Sequence, residues 1–132
     1  MDKVVHFEIP ADNMDRAVKF YKETFGWKID KVKDMPYYMA HTVETDQKGM
    51  PKQPGAINGG LMQRQSKEEK PVVVINVASL DEALKKAQKA GAKVVMPKMD
   101  VGGMGIYARI ADTEGNVIGV WQDVKKPGES AK

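Results

Sequence analysis

Two ionisable side chains near the start of the chain carry the clearest potential for chemistry. His6 and Glu8 stand two apart in His6-Phe7-Glu8-Ile9-Pro10, which reads as a strand, so both project from one face. An imidazole titrates near neutral pH and can serve as a general base or a ligand contact. A carboxylate beside it can orient the ring or act as a base itself. The unreactive alternatives are a hydrogen-bonded polar remnant for His6 and an ion pair across a sheet for Glu8. His41 is the second of two histidines, on a strand whose faces the pattern leaves open. A site rebuilt from His6, Glu8 and His41 is therefore a further arrangement to test.

The elements that position these residues follow from periodicity. Lys3 to Ile9 reads as a strand that ends at Pro10. Asp12 or Asn13 caps a helix, and Met14, Ala17, Val18, Tyr21 and Phe25 form its buried stripe before Gly26 stops it. Residues 27–32, 37–44 and 56–63 read as strands, with a polar Gly- and Pro-rich loop at 45–55 and a charged linker at 64–70. The plan then repeats. Residues 71–78 form a β-branched strand, and Ser79-Leu80-Asp81-Glu82 is a capping box. Leu80, Ala83, Leu84, Ala87 and Ala90 line the second helix, which Gly91 stops. Strands at 93–96, 106–111 and 117–123 follow, with a flexible loop at 97–105 and a hairpin turn at 112–116. The polar tail at 125–132 is expected to fray.

The halves are alike in detail. Met14-Asp15-Arg16-Ala17 recurs as Leu80-Asp81-Glu82-Ala83, Gly26-Trp27-Lys28-Ile29 as Gly91-Ala92-Lys93-Val94, and Gly60-Leu61-Met62-Gln63 as Gly119-Val120-Trp121-Gln122. The expected fold is α+β: one domain over 1–132 made of two tandem βαβββ modules, 3–64 and 70–124. A helix covering one side of each short sheet leaves the other side to enclose a space.

With Asp12, Arg16-Ala17-Val18-Lys19-Phe20-Tyr21, Phe25-Gly26-Trp27, Asp81-Glu82-Ala83, Ala90-Gly91-Ala92 and Asp112-Thr113-Glu114-Gly115-Asn116, this doubled plan resembles the vicinal oxygen chelate superfamily. That superfamily includes glyoxalase I, extradiol dioxygenases, and fosfomycin and bleomycin resistance proteins. The resemblance implies a cupped mixed sheet with helices outside, a small-molecule ligand in the cup, and a homodimer. It also implies metal ligands on the first, fourth, fifth and eighth strands. Those positions correspond here to His6, Gly60, Val72 and Gly119, of which only His6 has a donor side chain. No metal or other cofactor is therefore expected. A lyase- or dioxygenase-like enzyme with a relocated metal around His6 and Glu8 is one alternative, and a structural or partner-binding domain is another.

The residues expected to touch a ligand are His6, Glu8, Tyr38, His41, Gly60, Met62 and Trp121. Met62 and Trp121 lie two beyond the matching glycines, on the same strand face, and can form apolar walls or plain core. Tyr37 and Tyr38 could stack on a ring or pack against neighbouring strands. Gly59-Gly60 leaves room for a ligand or marks a bend. Met96, Met99 and Met104 could form an adaptable apolar rim.

Composition narrows the remaining classes. With 42% hydrophobic and 30% charged residues, the chain matches an ordinary globular domain. Its net charge of +3 comes from dispersed lysines, without the dense basic stripe that nucleic acid requires. No apolar run approaches the roughly 20 residues of a membrane helix. The absence of cysteine excludes disulfides and thiolate chemistry and suggests a cytoplasmic setting.

Overall fold

The computed structural model describes residues 1–124; the tail expected to fray lies outside them. Two compact units divide the chain. One comprises residues 5–72, and the other comprises residues 1–4 with the stretch from 73 onward.

The first unit is built from most of β1 (Lys3–Ala11), α1 (Met14–Phe25), β2 (Lys28–Lys31), β3 (Tyr37–His41) and β4 (Asn58–Gln63). Its strands lie in the order β2-β3-β4-β1. The β2–β3 and β3–β4 pairs are antiparallel, and β4–β1 is parallel. Asn13 is the N-cap of α1, its side chain accepting the N–H of Arg16 at 3.0 Å. Asp12, the other capping option, instead takes the Arg64 guanidinium at 3.0 Å. Gly26 ends the helix in the left-handed conformation, φ 72°, where a Cβ would be strained.

One sheet face carries the core. Ile29, Ala40 and Leu61 are buried there, with Phe7, Ile9, Met14, Val18, Tyr21, Trp27 and Tyr38 packed around them. Alternation along each strand therefore sends His6, Glu8, Tyr37, Met39, Asn58, Gly60 and Met62 to the opposite face. Phe25, expected in the helical stripe, is 60% exposed. It sits on the last turn, where its ring reaches Tyr21 and Trp27 at 6.2 and 6.0 Å rather than the sheet.

The second unit contains β5 (Val72–Asn76), α2 (Leu80–Lys89), β6 (Lys93–Val101), β7 (Gly105–Ala111) and β8 (Val117–Asp123), with strands in the order β5-β8-β7-β6. Its pairing repeats the first unit's: β5–β8 is parallel, while β8–β7 and β7–β6 are antiparallel. Ser79 caps α2 by accepting the N–H of Glu82 at 3.2 Å. Val77, Leu80, Ala108 and Val120 form the core under α2.

Three of the boundaries that differ from the sequence expectation have a clear local reason. β1 continues through Pro10 to Ala11, because proline removes a donor without forbidding extended backbone. β3 stops at His41, because the Asn58 Oδ1 accepts the N–H groups of Thr42 and Val43, at 2.8 and 3.0 Å, which would otherwise extend the ladder. The expected loop at 97–105 is mostly strand. β6 runs through Pro97 to Val101 with register shifts on either side of Met96, as an edge strand permits.

Candidate functional site

The first unit gathers its ionisable residues on the face away from α1. Register places His6 beside Asn58 and Glu8 beside Gly60 on β4. On the other side of β4, Tyr37 stands beside Met62 and Met39 beside Gly60. The Tyr37 ring leans diagonally across β4 and fills the space above Gly60. A Cβ built at residue 60 would fall within the ring and its hydroxyl. The missing side chain at Gly60 is what admits the ring.

Leaning this way brings the Tyr37 hydroxyl 2.7 Å from the His6 Nε2. The same hydroxyl lies 3.4 Å from the Glu8 Oε2, to which it donates. The His6 and Tyr37 rings lie nearly parallel, at 15° with centroids 6.4 Å apart. Glu8 is buried, at 8% exposure. Burial pushes the His6 pKa below its ordinary value, and the nearby Glu8 carboxylate opposes that shift without cancelling it. Burial thus favours the neutral imidazole. One of its nitrogens donates and the other accepts. With its own proton directed at Glu8, the Tyr37 oxygen accepts from Nε2–H. With the opposite tautomer, the phenol donates to Nε2. The phenol can therefore either link the imidazole to the carboxylate or donate to the imidazole, depending on the tautomer.

Other expected site residues fall elsewhere. His41 shares the face of His6 by alternation, but β4 separates their strands. Among the described residues no hydrogen bond or ring contact joins the two histidines. Tyr38 lies on the opposite face, against the core, and borders a surface groove with Asp15, Val18, Lys19 and Lys22 of α1. The tyrosine that meets His6 is Tyr37, its neighbour. Met62 is half-buried on the His6 face. Met99 and Met104 are half-exposed in and beside β6.

Trp121 belongs to the second unit, where the first unit's arrangement recurs with different chemistry. Tyr107 pairs by register with Trp121, as Tyr37 does with Met62, and Arg109 pairs with Gly119, as Met39 does with Gly60. A Cβ at Gly119 would lie 2.6 Å from the Tyr107 hydroxyl. That hydroxyl accepts from the Arg109 Nε at 2.8 Å, and both residues are buried at 8% exposure. The Trp121 Nε1 donates to Asp123 at 2.8 Å. Tyr107 and Arg109 were not anticipated from sequence. The signal that could have revealed both tyrosines was the glycine inside β4 and its counterpart in β8, since a strand glycine marks a close approach.

A family model, the Glyoxalase/Bleomycin resistance protein/Dioxygenase superfamily, matches residues 3–120. The chain belongs to that superfamily. No curated protein sequence matches the chain. Several solved structures share the superfamily's fold. A hypothetical protein from Bacillus halodurans C-125 superposes with a TM-score of 0.63 at 14% identity, over 98% of this chain and 99% of that one. Methylmalonyl-CoA epimerase in complex with methylmalonyl-CoA and NH4+ gives 0.63 at 16% identity, over 96% and 99%. A Streptomyces coelicolor methylmalonyl-CoA epimerase variant in complex with 2-nitronate-propionyl-CoA gives 0.62 at 14%, over 93% and 98%. At these identities the likeness concerns the fold.

Of the positions where the resemblance places metal ligands, only His6 carries a donor side chain in this chain. Val72 has no donor atom, and the places of side chains at 60 and 119 are taken by tyrosine rings. Among the described residues, no three His, Asp or Glu side chains gather closely enough to hold a metal.

Proposed function

We propose that this superfamily member binds a small molecule without a metal, on the face of the first unit that carries His6, Tyr37 and Glu8. The observation that supports this most directly is the 2.7 Å contact between the Tyr37 hydroxyl and the His6 Nε2, beside a buried carboxylate. Such a cluster offers a ligand both hydrogen-bond donors and acceptors of fixed direction. The solved neighbours in complex with methylmalonyl-CoA and 2-nitronate-propionyl-CoA add support for a small organic ligand on this fold. In this reading the chain acts as a sequestering or resistance-type protein, cytoplasmic and homodimeric.

A second reading, an enzyme, has one observation in its favour. A neutral imidazole joined to a phenol and a carboxylate is a plausible acid–base set.

Thermal-shift screening with acyl-CoA compounds and aromatic drugs tests the binding proposal, because a ligand that binds only the native state raises Tm. The expected result is a hit whose shift shrinks in Tyr37→Phe and in His6→Ala. Hits indifferent to both substitutions, or no hits at all, would refute the site. Turnover of a hit that His6→Ala abolishes would favour the enzyme. Light scattering of the purified chain tests the homodimer.

A further inference from the structure

The two helices hold the same place in the repeat but carry different outer residues. Continuing the match of Met14-Asp15-Arg16-Ala17 with Leu80-Asp81-Glu82-Ala83 along α1 and α2 pairs Phe20 with Lys86 and Tyr21 with Ala87. The second module folds with Glu82 and Lys86 at these places. Building a module therefore requires neither a cation where Arg16 stands nor an aromatic ring where Phe20 stands. Phe20 nevertheless leaves its ring 52% exposed to water, an unfavourable placement for so large an apolar group.

Phe20 and Tyr21 line a groove of about 360 Å3 on the first unit, together with Ile9 and Pro10 of β1. Arg16, Ala17, Phe20 and Tyr21 follow one another at one-turn spacing and share a flank of α1. The aromatic side of the groove is fixed. The Tyr21 ring stacks on Trp27 at 4.8 Å and 7°, and Phe20 meets Tyr21 edge-on at 5.0 Å. Three charged residues border the groove, Asp12, Arg16 and Arg64. Two of them neutralise each other: the Arg64 Nε donates to Asp12 at 3.0 Å, and its other nitrogens donate to the carbonyls of Glu69 and Pro10. Arg16 is exposed, and among the described residues no hydrogen bond or ion pair engages its guanidinium. An aromatic wall thus stands beside one uncompensated positive charge. Ile9 and His6 point to opposite faces of β1, so this groove and the His6 cluster are separate places.

We infer that the groove is a second binding site, for an aromatic compound that carries one anionic group, a carboxylate, sulfonate or phosphate ester. The rings of the compound lie against Phe20 and its apolar neighbours, and the anion meets the planar fork of Arg16. A neutral ring would leave the guanidinium uncompensated, and a bare inorganic anion would leave the aromatic wall wet. The groove's volume falls in the range of small-molecule sites, which begins near about 300 Å3. The site does not depend on what the His6 face binds.

Fluorescence titration of the whole chain with anilinonaphthalene sulfonate tests this, with phenylnaphthylamine as the dye that has the same rings and no sulfonate. The sulfonate is expected to bind more tightly, and added NaCl is expected to weaken it while leaving the neutral dye unchanged. Arg16→Glu and Phe20→Lys install the residue types that α2 carries at the matching places, and circular dichroism should show both variants folded. Each is expected to lower sulfonate affinity about tenfold, whereas His6→Ala leaves it unchanged. Equal affinity for the two dyes, or no binding of the sulfonate, would overturn the inference on the native chain alone. So would sulfonate affinity that survives either helix substitution, or that is lost with His6→Ala.

Discussion

The Tyr37 ring occupies the space that a side chain at Gly60 would need, and its hydroxyl meets the His6 Nε2 at 2.7 Å. Gly60→Ala must therefore push a packed ring off its rotamer or bend β4. Overpacking of this kind costs about 1–3 kcal/mol. Gly119→Ala is expected to cost less, because a Cβ there would lie 2.6 Å from the Tyr107 hydroxyl and 2.9 Å from its ring, whereas at Gly60 it would overlap the Tyr37 hydroxyl and ring outright. Urea unfolding of both variants checks the order. A larger loss at Gly119 would contradict the packing described.

The lowered pKa of His6 gives stability a pH dependence of known sign. The folded state resists protonation that the unfolded chain accepts near the ordinary value of 6.5. Stability therefore falls as pH drops below about 6.5, until the folded imidazole also protonates. Melting temperatures measured from pH 7.5 to pH 5 should decline, and His6→Gln should flatten that decline. Asp46 and Asp112, both held below the usual carboxylate range by backbone N–H groups, add acid sensitivity only at lower pH. An NMR titration placing His6 above 6.5 would refute the assignment.

Leu61 and Leu80 are fully buried, one in each core. Replacing either with alanine removes apolar contact and leaves a cavity, at a cost of about 2–5 kcal/mol. Because the two cores lie in different units, urea unfolding of the two variants followed by tryptophan fluorescence will read different neighbourhoods: Trp27 packs on the Leu61 core, while Trp121 lies on β8.

Asn58 holds the start of the 42–57 segment through two backbone N–H groups. Asn58→Ala leaves both donors to find water, with a loss of about 1–3 kcal/mol. Hydrogen exchange should quicken first at Thr42 and Val43. Unchanged protection there would show that the segment is held by other contacts.

Much of the architecture was legible before the structure. The repeated helix with its glycine stop, the capping residues and the β-branched strands are local signals, and local signals specify the elements. The recurring Gly-Leu-Met-Gln and Gly-Val-Trp-Gln segments already placed Gly60 and Gly119 at corresponding positions, and the structure finds them in equivalent registers. His6 and Glu8 shared a face as soon as their segment read as a strand.

What only the tertiary structure decided is which tyrosine completes the cluster. Tyr37 and Tyr38 must face opposite ways on any strand, but a shift of one residue in the β3–β4 pairing exchanges their faces. Ala40 packing beside Leu61 in the core sets that register, and with it Tyr38 turns toward α1 and Tyr37 toward His6. The contact of Tyr37 with His6 joins residues far apart in the chain across an intervening strand. No periodicity encodes that contact. It exists because a strand glycine leaves room for a ring to cross.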